Sequence, residues 1–335
     1  MRSLPRFRRP DRSPAGAEPP GDRTVTAPGA DRALLVKVRS RTAIAVRRRT
    51  QHLLDGEYGS IHRGRSMDFE DLRDYVVGDD VKDIDWKATA RSGRPLVKRN
   101  VAERRHGVLF VVDSGRSMAA MADATCSKRD VVVLATGLIG QLAMRHGDSI
   151  GLVVGPTSGP LGGSTGIAHV PFGRGEAHLE QILRTIHSTI DLDGSMSDLD
   201  GLLDHVARQF RRRLIVVVLA DDIDLDSGHL RRIRRLCAQH EVLYCAVGDM
   251  AITEPALASQ PLRHVEGHRI PAFFRDRPRL HADLQQVAAE RRRRLRAALT
   301  ECGAASTGLS GADTTVSSVF ELLERQRLAV AEARR

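Results

Sequence analysis

Two short runs decide most of what this chain can fold into. Residues 108–112 read VLFVV and stop at Asp113; residues 214–220 read LIVVVLA and stop at Asp221 and Asp222. A strand that is apolar at every position must be covered on both faces, as in parallel sheets flanked by helices. Residues 150–154 and 242–247 (VLYCAV) share this character, and helical patterns lie between the runs. The alternation predicts an α/β fold: a doubly wound, mostly parallel sheet with helices on both faces. Residues 167–172 alternate instead and contain Pro171, which suits an edge strand.

Helical periodicity extends over 33–54, 127–146, 176–188, 199–212, 228–240, 280–302 and 316–335, with a short strand at 306–309. The segment 127–146 is apolar nearly all round, so it is expected to be buried. Gly162-Gly163-Ser164-Thr165-Gly166 precedes a strand rather than a helix and reads as a hairpin loop, not a phosphate cradle. Residues 1–32 are rich in Pro, Gly and Arg without apolar periodicity and read as a disordered tail. The division that follows is a tail (1–32), an N-terminal helix with a loop-rich segment of short strands (33–104), and the sheet domain (105–335).

The net charge of +10 raises the question of nucleic acid. The arginines, however, fall in separate clusters at 47–49, 211–213, 231–235 and 291–294. Around the last cluster Leu284, Val287, Ala288, Leu295, Leu299 and Cys302 keep helical spacing, so the arginines fill a solvated face. Three tyrosines and one tryptophan make a poor stacking platform for bases. The longest apolar stretch, 131–144, is too short to cross a bilayer. Cys126, Cys237, Cys245 and Cys302 are scattered and read as buried thiols in a reducing, cytoplasmic setting. No GxxxxGK[ST] or HExxH motif occurs, so a non-enzymatic role is expected.

In a parallel sheet, ligands collect at the carboxyl ends of the strands. Asp113 opens the turn Asp113-Ser114-Gly115-Arg116-Ser117, and carboxylate and hydroxyl oxygens at such spacing suit a hard cation. This arrangement resembles the metal-ion-dependent adhesion site of von Willebrand factor A domains. The resemblance assigns Asp113 and Ser117 to the turn, Ser197 to the place of the usual Thr, and Asp221 to the last Asp. Gly115 stands where the first Ser should be, so the expectation is weak binding of Mg²⁺ or Mn²⁺. Without a cation, Asp113 and Asp221 repel, and backbone amides or an arginine such as Arg116 must compensate. The bland alternative is that these carboxylates only cap helices.

Upstream, Arg63-Gly64, Arg73-Asp74-Tyr75, Gly78-Asp79-Asp80, Ile84-Asp85-Trp86 and Ala90-Arg91 follow one another in order. On these residues the chain is identified as a member of the bacterial family called domain of unknown function fifty-eight, over roughly residues 50–330. Members resemble partners of MoxR-type AAA+ ATPases. The resemblance implies an adaptor or assembly protein with an ATPase and an unidentified client as partners. The block admits a half-buried ion-pair network ordering a loop. It also admits a docking face in which Arg73, Tyr75, Asp79, Asp80, Asp85, Trp86 and Arg91 meet a partner, Trp86 and Tyr75 being the anchors. A metal-dependent hydrolase and a basic nucleic-acid-binding surface are the alternatives from other classes.

Overall fold

The central strands form because their side chains alternate between two greasy layers. In β3 (Gly107–Asp113), Val108, Phe110 and Val112 enter one core cluster while Leu109 and Val111 enter the other. β6 (Ile215–Asp221) divides its residues in the same way. The computed structural model describes residues 33–46, 71–76, 84–99, 106–157, 166–252, 261–271 and 278–332.

The remaining strands of the main sheet are β4 (Ser149–Gly155), β5 (Ala168–Gly173), β7 (Glu241–Val247) and β8 (Ala305–Leu309). Their spatial order is β5-β4-β3-β6-β7-β8. All neighbours are parallel except β4 and β5, which are antiparallel. β5 is therefore the edge strand that its alternation and Pro171 predicted. The antiparallel pairing is what a hairpin between β4 and β5 produces, although most of the glycine-rich segment lies outside the described residues.

Helices α1 (Ala33–Val46), α3 (Lys128–Arg145), α4 (Glu176–Thr189) and α8 (Ala312–Glu332) supply one cluster. Helices α5 (Leu199–Gln209), α6 (Ser227–Gln239) and α7 (Pro278–Glu301) supply the other. α3 is buried almost throughout, as its all-round apolarity requires. Along α7, Leu295 and Leu299 are buried, but Val287, expected on the same face, is 63% exposed. The described thiols are inside: Cys126, Cys245 and Cys302 are buried and Cys237 is half-buried. Burial pushes the Cys237 and Cys245 thiols up to about 12, which keeps them protonated. No helix among the described residues is long and apolar enough to cross a membrane.

α1 joins this sheet rather than standing apart with the segment that follows it. Leu35 and Val38 lie in the same cluster as α3 and α4. A Cβ on Gly137 would come within 2.8 Å of Val38, so only glycine lets α1 approach that closely. The Leu35 amide also donates to Glu180 Oε2 at 3.0 Å. The described residues from Leu34 onward accordingly belong to one compact unit.

The upstream block holds a second, two-stranded sheet of β1 (Asp71–Asp74) and β2 (Leu96–Arg99), antiparallel with Arg73 opposite Val97. α2 (Trp86–Ser92) lies between them in sequence and ends at Gly93, whose left-handed φ of 72° favours glycine.

Candidate functional site

β3 and β6 are neighbours at the centre of the sheet, where connections run outward in both directions. Such a switch point opens a crevice beyond the carboxyl ends of the strands. Val112 pairs with Leu219, so Asp113 stands level with Ala220 and Asp221 lies one residue further out. Strand alternation converts that single offset into a reversal of face. Asp113 continues the Leu109–Val111 series toward α5, and Asp221 continues the Val217–Leu219 series toward α3.

Asp113 is 1% exposed, and both its oxygens are engaged. Oδ1 accepts from the Gly115 amide at 2.9 Å and Oδ2 from the Ser197 hydroxyl at 2.5 Å. Burial raises its carboxyl above the ordinary 3.8, and the charge of Asp221 adds to this; the Ser197 and Gly115 hydrogen bonds and Lys128 oppose it. A folded-state value above the unfolded one means that acid favours the fold. The contribution is full below the ordinary value and is lost as pH rises through the folded one. Asp113→Asn keeps the acceptor for Gly115 and stays neutral at every pH. Urea unfolding should find it more stable than wild type at pH 7, with the gap closing toward pH 3.5. Lower stability at pH 7 would show that the ionised carboxylate is required.

The adhesion-site pattern fails at Gly115 for a steric reason. A Cβ there would lie 2.6 Å from both the Cα and the amide nitrogen of Ser197. The Arg116 amide donates to Ser195 O at 2.8 Å, clamping the 195–197 loop onto this turn. The loop backbone therefore fills the space a serine side chain would need. Gly115→Ser should cost about 1–3 kcal/mol through forced displacement of that loop. Thermal unfolding with and without Mg²⁺ checks this; an unchanged midpoint, or a serine variant that gains Mg²⁺ affinity, would contradict it.

On the other face Asp221 meets Lys128, at the start of α3. Lys128 is fully buried, and its Nζ lies 2.6 Å from Asp221 Oδ1 and 2.5 Å from Asp249 Oδ1. Of the two compensations expected, backbone amides or Arg116, an amide serves Asp113 together with the Ser197 hydroxyl, and for Asp221 the cation is Lys128 rather than Arg116. Sequence reasoning missed Lys128, although a signal was present. A cation at a helix N-terminus opposes the macrodipole, so it needs carboxylates nearby. The start itself is secured by a Ser127–Asp130 capping box.

The metal expectation rests on Asp113, Ser117, Ser197 and Asp221. They are gathered at one edge, with Ser117 half-buried in the 3-10 turn Arg116–Ala119. As placed, they do not fit a divalent cation. Both oxygens of Asp113 already accept hydrogen bonds, and an ammonium group sits on Asp221. Asp222 pairs with Arg291 at 3.0 Å. Among the described residues no group of three or more His, Cys, Asp or Glu is arranged to hold a metal ion. Tyr244, in β7, is a further residue that sequence reasoning passed over. It is fully buried near Asp113, Asp221 and Asp222, which together with burial push its phenol up, and its hydroxyl has no partner among the described residues.

In the upstream block, Asp79 and Asp80 lie outside the described residues. Asp85 caps α2, its Oδ1 accepting from the Lys87 and Ala88 amides at 2.9 and 3.0 Å. Thr89 Oγ1 accepts the Leu96 amide at 2.9 Å and ties the helix to β2. Tyr75 is half-buried, and its amide donates to Pro95 O at 2.9 Å. Arg91 is exposed in the last turn of α2. Trp86 is 65% exposed, on a helix with no buried residue. The geometry presents the largest side chain in the block to solvent from a capped, tethered element.

A mostly parallel sheet with one antiparallel edge strand, helices on both faces and an aspartate turn at its switch point is a doubly wound α/β domain, the fold that the resemblance to von Willebrand factor A domains implies. The chain belongs to the family described as protein of unknown function DUF58, whose profile matches residues 71–294. It is 28% identical over 291 residues to the uncharacterized proteins Mb1516 of Mycobacterium bovis and Rv1480 of Mycobacterium tuberculosis, across 86% of this chain and 89% of each relative. Among solved structures it is similar to an aerotolerance-related membrane protein of Bacteroides fragilis, at 16% identity and a TM-score of 0.40, covering 66% of this chain and 99% of that one. A von Willebrand factor type A protein of Catenulispora acidiphila matches at 9% identity and a TM-score of 0.36, over 67% of this chain and 43% of that one.

Proposed function

We propose that this chain is a cytoplasmic, non-enzymatic adaptor that docks on a MoxR-type AAA+ ATPase and brings it a client protein. The observation that carries the reading is Trp86. An exposed tryptophan on a rigid, capped helix contributes little to its own fold and is the residue type that most often anchors an interface. Asp85, Thr89 and Gly93 hold that helix, so its presentation costs little ordering on binding. The family resemblance supplies the class of partner.

We infer further that Lys128 does within the fold what a divalent ion does in adhesion-type sites: it neutralises the crevice carboxylate. The domain then needs no Mg²⁺ or Mn²⁺ to hold its edge together. Reconstitution tests the adaptor reading. The chain alone should show no turnover, and adding it to a MoxR-type AAA+ ATPase from the same organism should form a complex and change the rate of ATP hydrolysis. Mg²⁺-dependent hydrolysis by the chain alone, or no complex with the ATPase, would sink it.

A further inference from the structure

β8 ends the sheet, and no described strand pairs with its outer edge. The Gly248 amide donates to Leu309 O at 2.8 Å, so the backbone of Leu309 turns toward β7. Alternation then turns the N–H and C=O of Ser306 and Gly308 away from the sheet. The outward carbonyl of Ser306 confirms this by accepting from Arg325 Nη1 at 2.6 Å. Ser306 is buried beneath Arg325, whereas Gly308 is exposed and a Cβ on it would meet nothing within 4 Å. An unpaired strand edge of this kind is a template for another strand.

Here the edge lies at the bottom of a cavity of about 410 Å³, walled by α7 on one side and α8 on the other. That volume falls within the range of about 300–1,000 Å³ typical of ligand sites. The α7 wall is apolar at Leu284, Ala288 and Leu295 and basic at Arg292 and Arg296. The other charges around the cavity are matched in pairs: Arg291 with Asp222, Arg325 with Glu321, and Asp249 with Lys128. Arg292 and Arg296 are exposed and have no acidic partner among the described residues. The groove thus offers backbone hydrogen bonds, apolar contact and two uncompensated cations.

We propose that the outer edge of β8 binds an extended acidic peptide segment of a partner protein, which adds as a seventh strand between α7 and α8. Main-chain pairing with Ser306 and Gly308 supplies affinity, and Arg292 and Arg296 select carboxylates. Arg325, held by Glu321, covers the Ser306 carbonyl until a peptide N–H replaces it. This assignment stands apart from the ATPase reading and survives its failure.

The test uses the full chain and a pool of seven-residue peptides with Glu at alternate positions and Val, Leu, Ala or Thr between them. Binding is read by fluorescence polarisation and by amide exchange at Ser306 and Gly308. The pool should bind, slow exchange at those two amides, and lose affinity as salt rises. Arg292→Glu with Arg296→Glu, both exposed helix positions, should weaken binding about tenfold or more while leaving the melting temperature unchanged. N-methylation of the peptide backbone should weaken it by about tenfold as hydrogen bonds are lost. No binding by the pool, or binding indifferent to N-methylation, overturns the proposal. So does displacement by a single-stranded oligonucleotide as readily as by peptide, which would make the groove a general anion site. Slow exchange in the free protein that vanishes when residues 253–260 are replaced by a Gly-Ser linker would assign the groove to the chain itself, and also overturns it.

Discussion

Lys128→Met should lower the free energy of unfolding by about 3–5 kcal/mol, the usual result of removing one member of a buried ion pair. Lys128 is fully buried, and Asp221, only 8% exposed, is poorly placed to be solvated in place of the ammonium. Asp249 suffers less, because its side chain is 61% exposed and relaxes into solvent. The loss therefore belongs to Asp221, and the double variant Lys128→Met with Asp221→Asn should recover most of it. Urea unfolding of the four proteins closes the cycle and isolates the pair. The same variant tests the substitution of ammonium for metal. Mg²⁺ should raise the melting temperature of Lys128→Met and leave wild type unchanged. A Lys128→Met protein within about 0.5 kcal/mol of wild type would fall in the range of ordinary surface changes and refute the role given to Lys128.

Trp86→Ala should have the opposite profile. A tryptophan packed in a core costs about 3–5 kcal/mol when cut to alanine. At 65% exposure, on a helix without a buried residue, Trp86 should cost less than about 0.5 kcal/mol. Its loss should nevertheless weaken association with the ATPase by roughly thirtyfold or more, the effect of an interface hot spot of about 2 kcal/mol. Calorimetric titration beside thermal unfolding separates the two quantities. Unchanged affinity removes Trp86 as the anchor; a large fall in melting temperature shows that it serves the fold instead.

Much of the architecture was legible because it depends on local pattern. The runs that became β3, β6 and β7 are apolar without interruption, and only a sheet covered on both faces accommodates them. Pro171 and the alternation around it marked β5 as an edge, since proline cannot donate to a second neighbour. Asp113 and Asp221 were found for the same reason: each ends an apolar run, and in a parallel sheet those ends share one side. The setting of Trp86 stayed open between a half-buried ion-pair network and a docking face, and its 65% exposure came only from the structure.

What the sequence by itself determined, then, is the sheet, the side on which its acidic edge lies and the helices that cover it. What only the tertiary structure decided are meetings between distant segments, which no local period encodes. Lys128 reaches Asp221 across 93 positions. The Ser197 backbone excludes a side chain at Gly115, turning an incomplete metal motif into a hydrogen-bonded turn. The offset of one residue between β3 and β6 sends the two aspartates to opposite faces. α1 seats Val38 in the gap above Gly137, and α7 and α8 leave a cavity between them at the outer edge of β8. The physical reason is common to all of these: periodicity tells which face of an element is buried, but packing alone tells which atoms it is buried against.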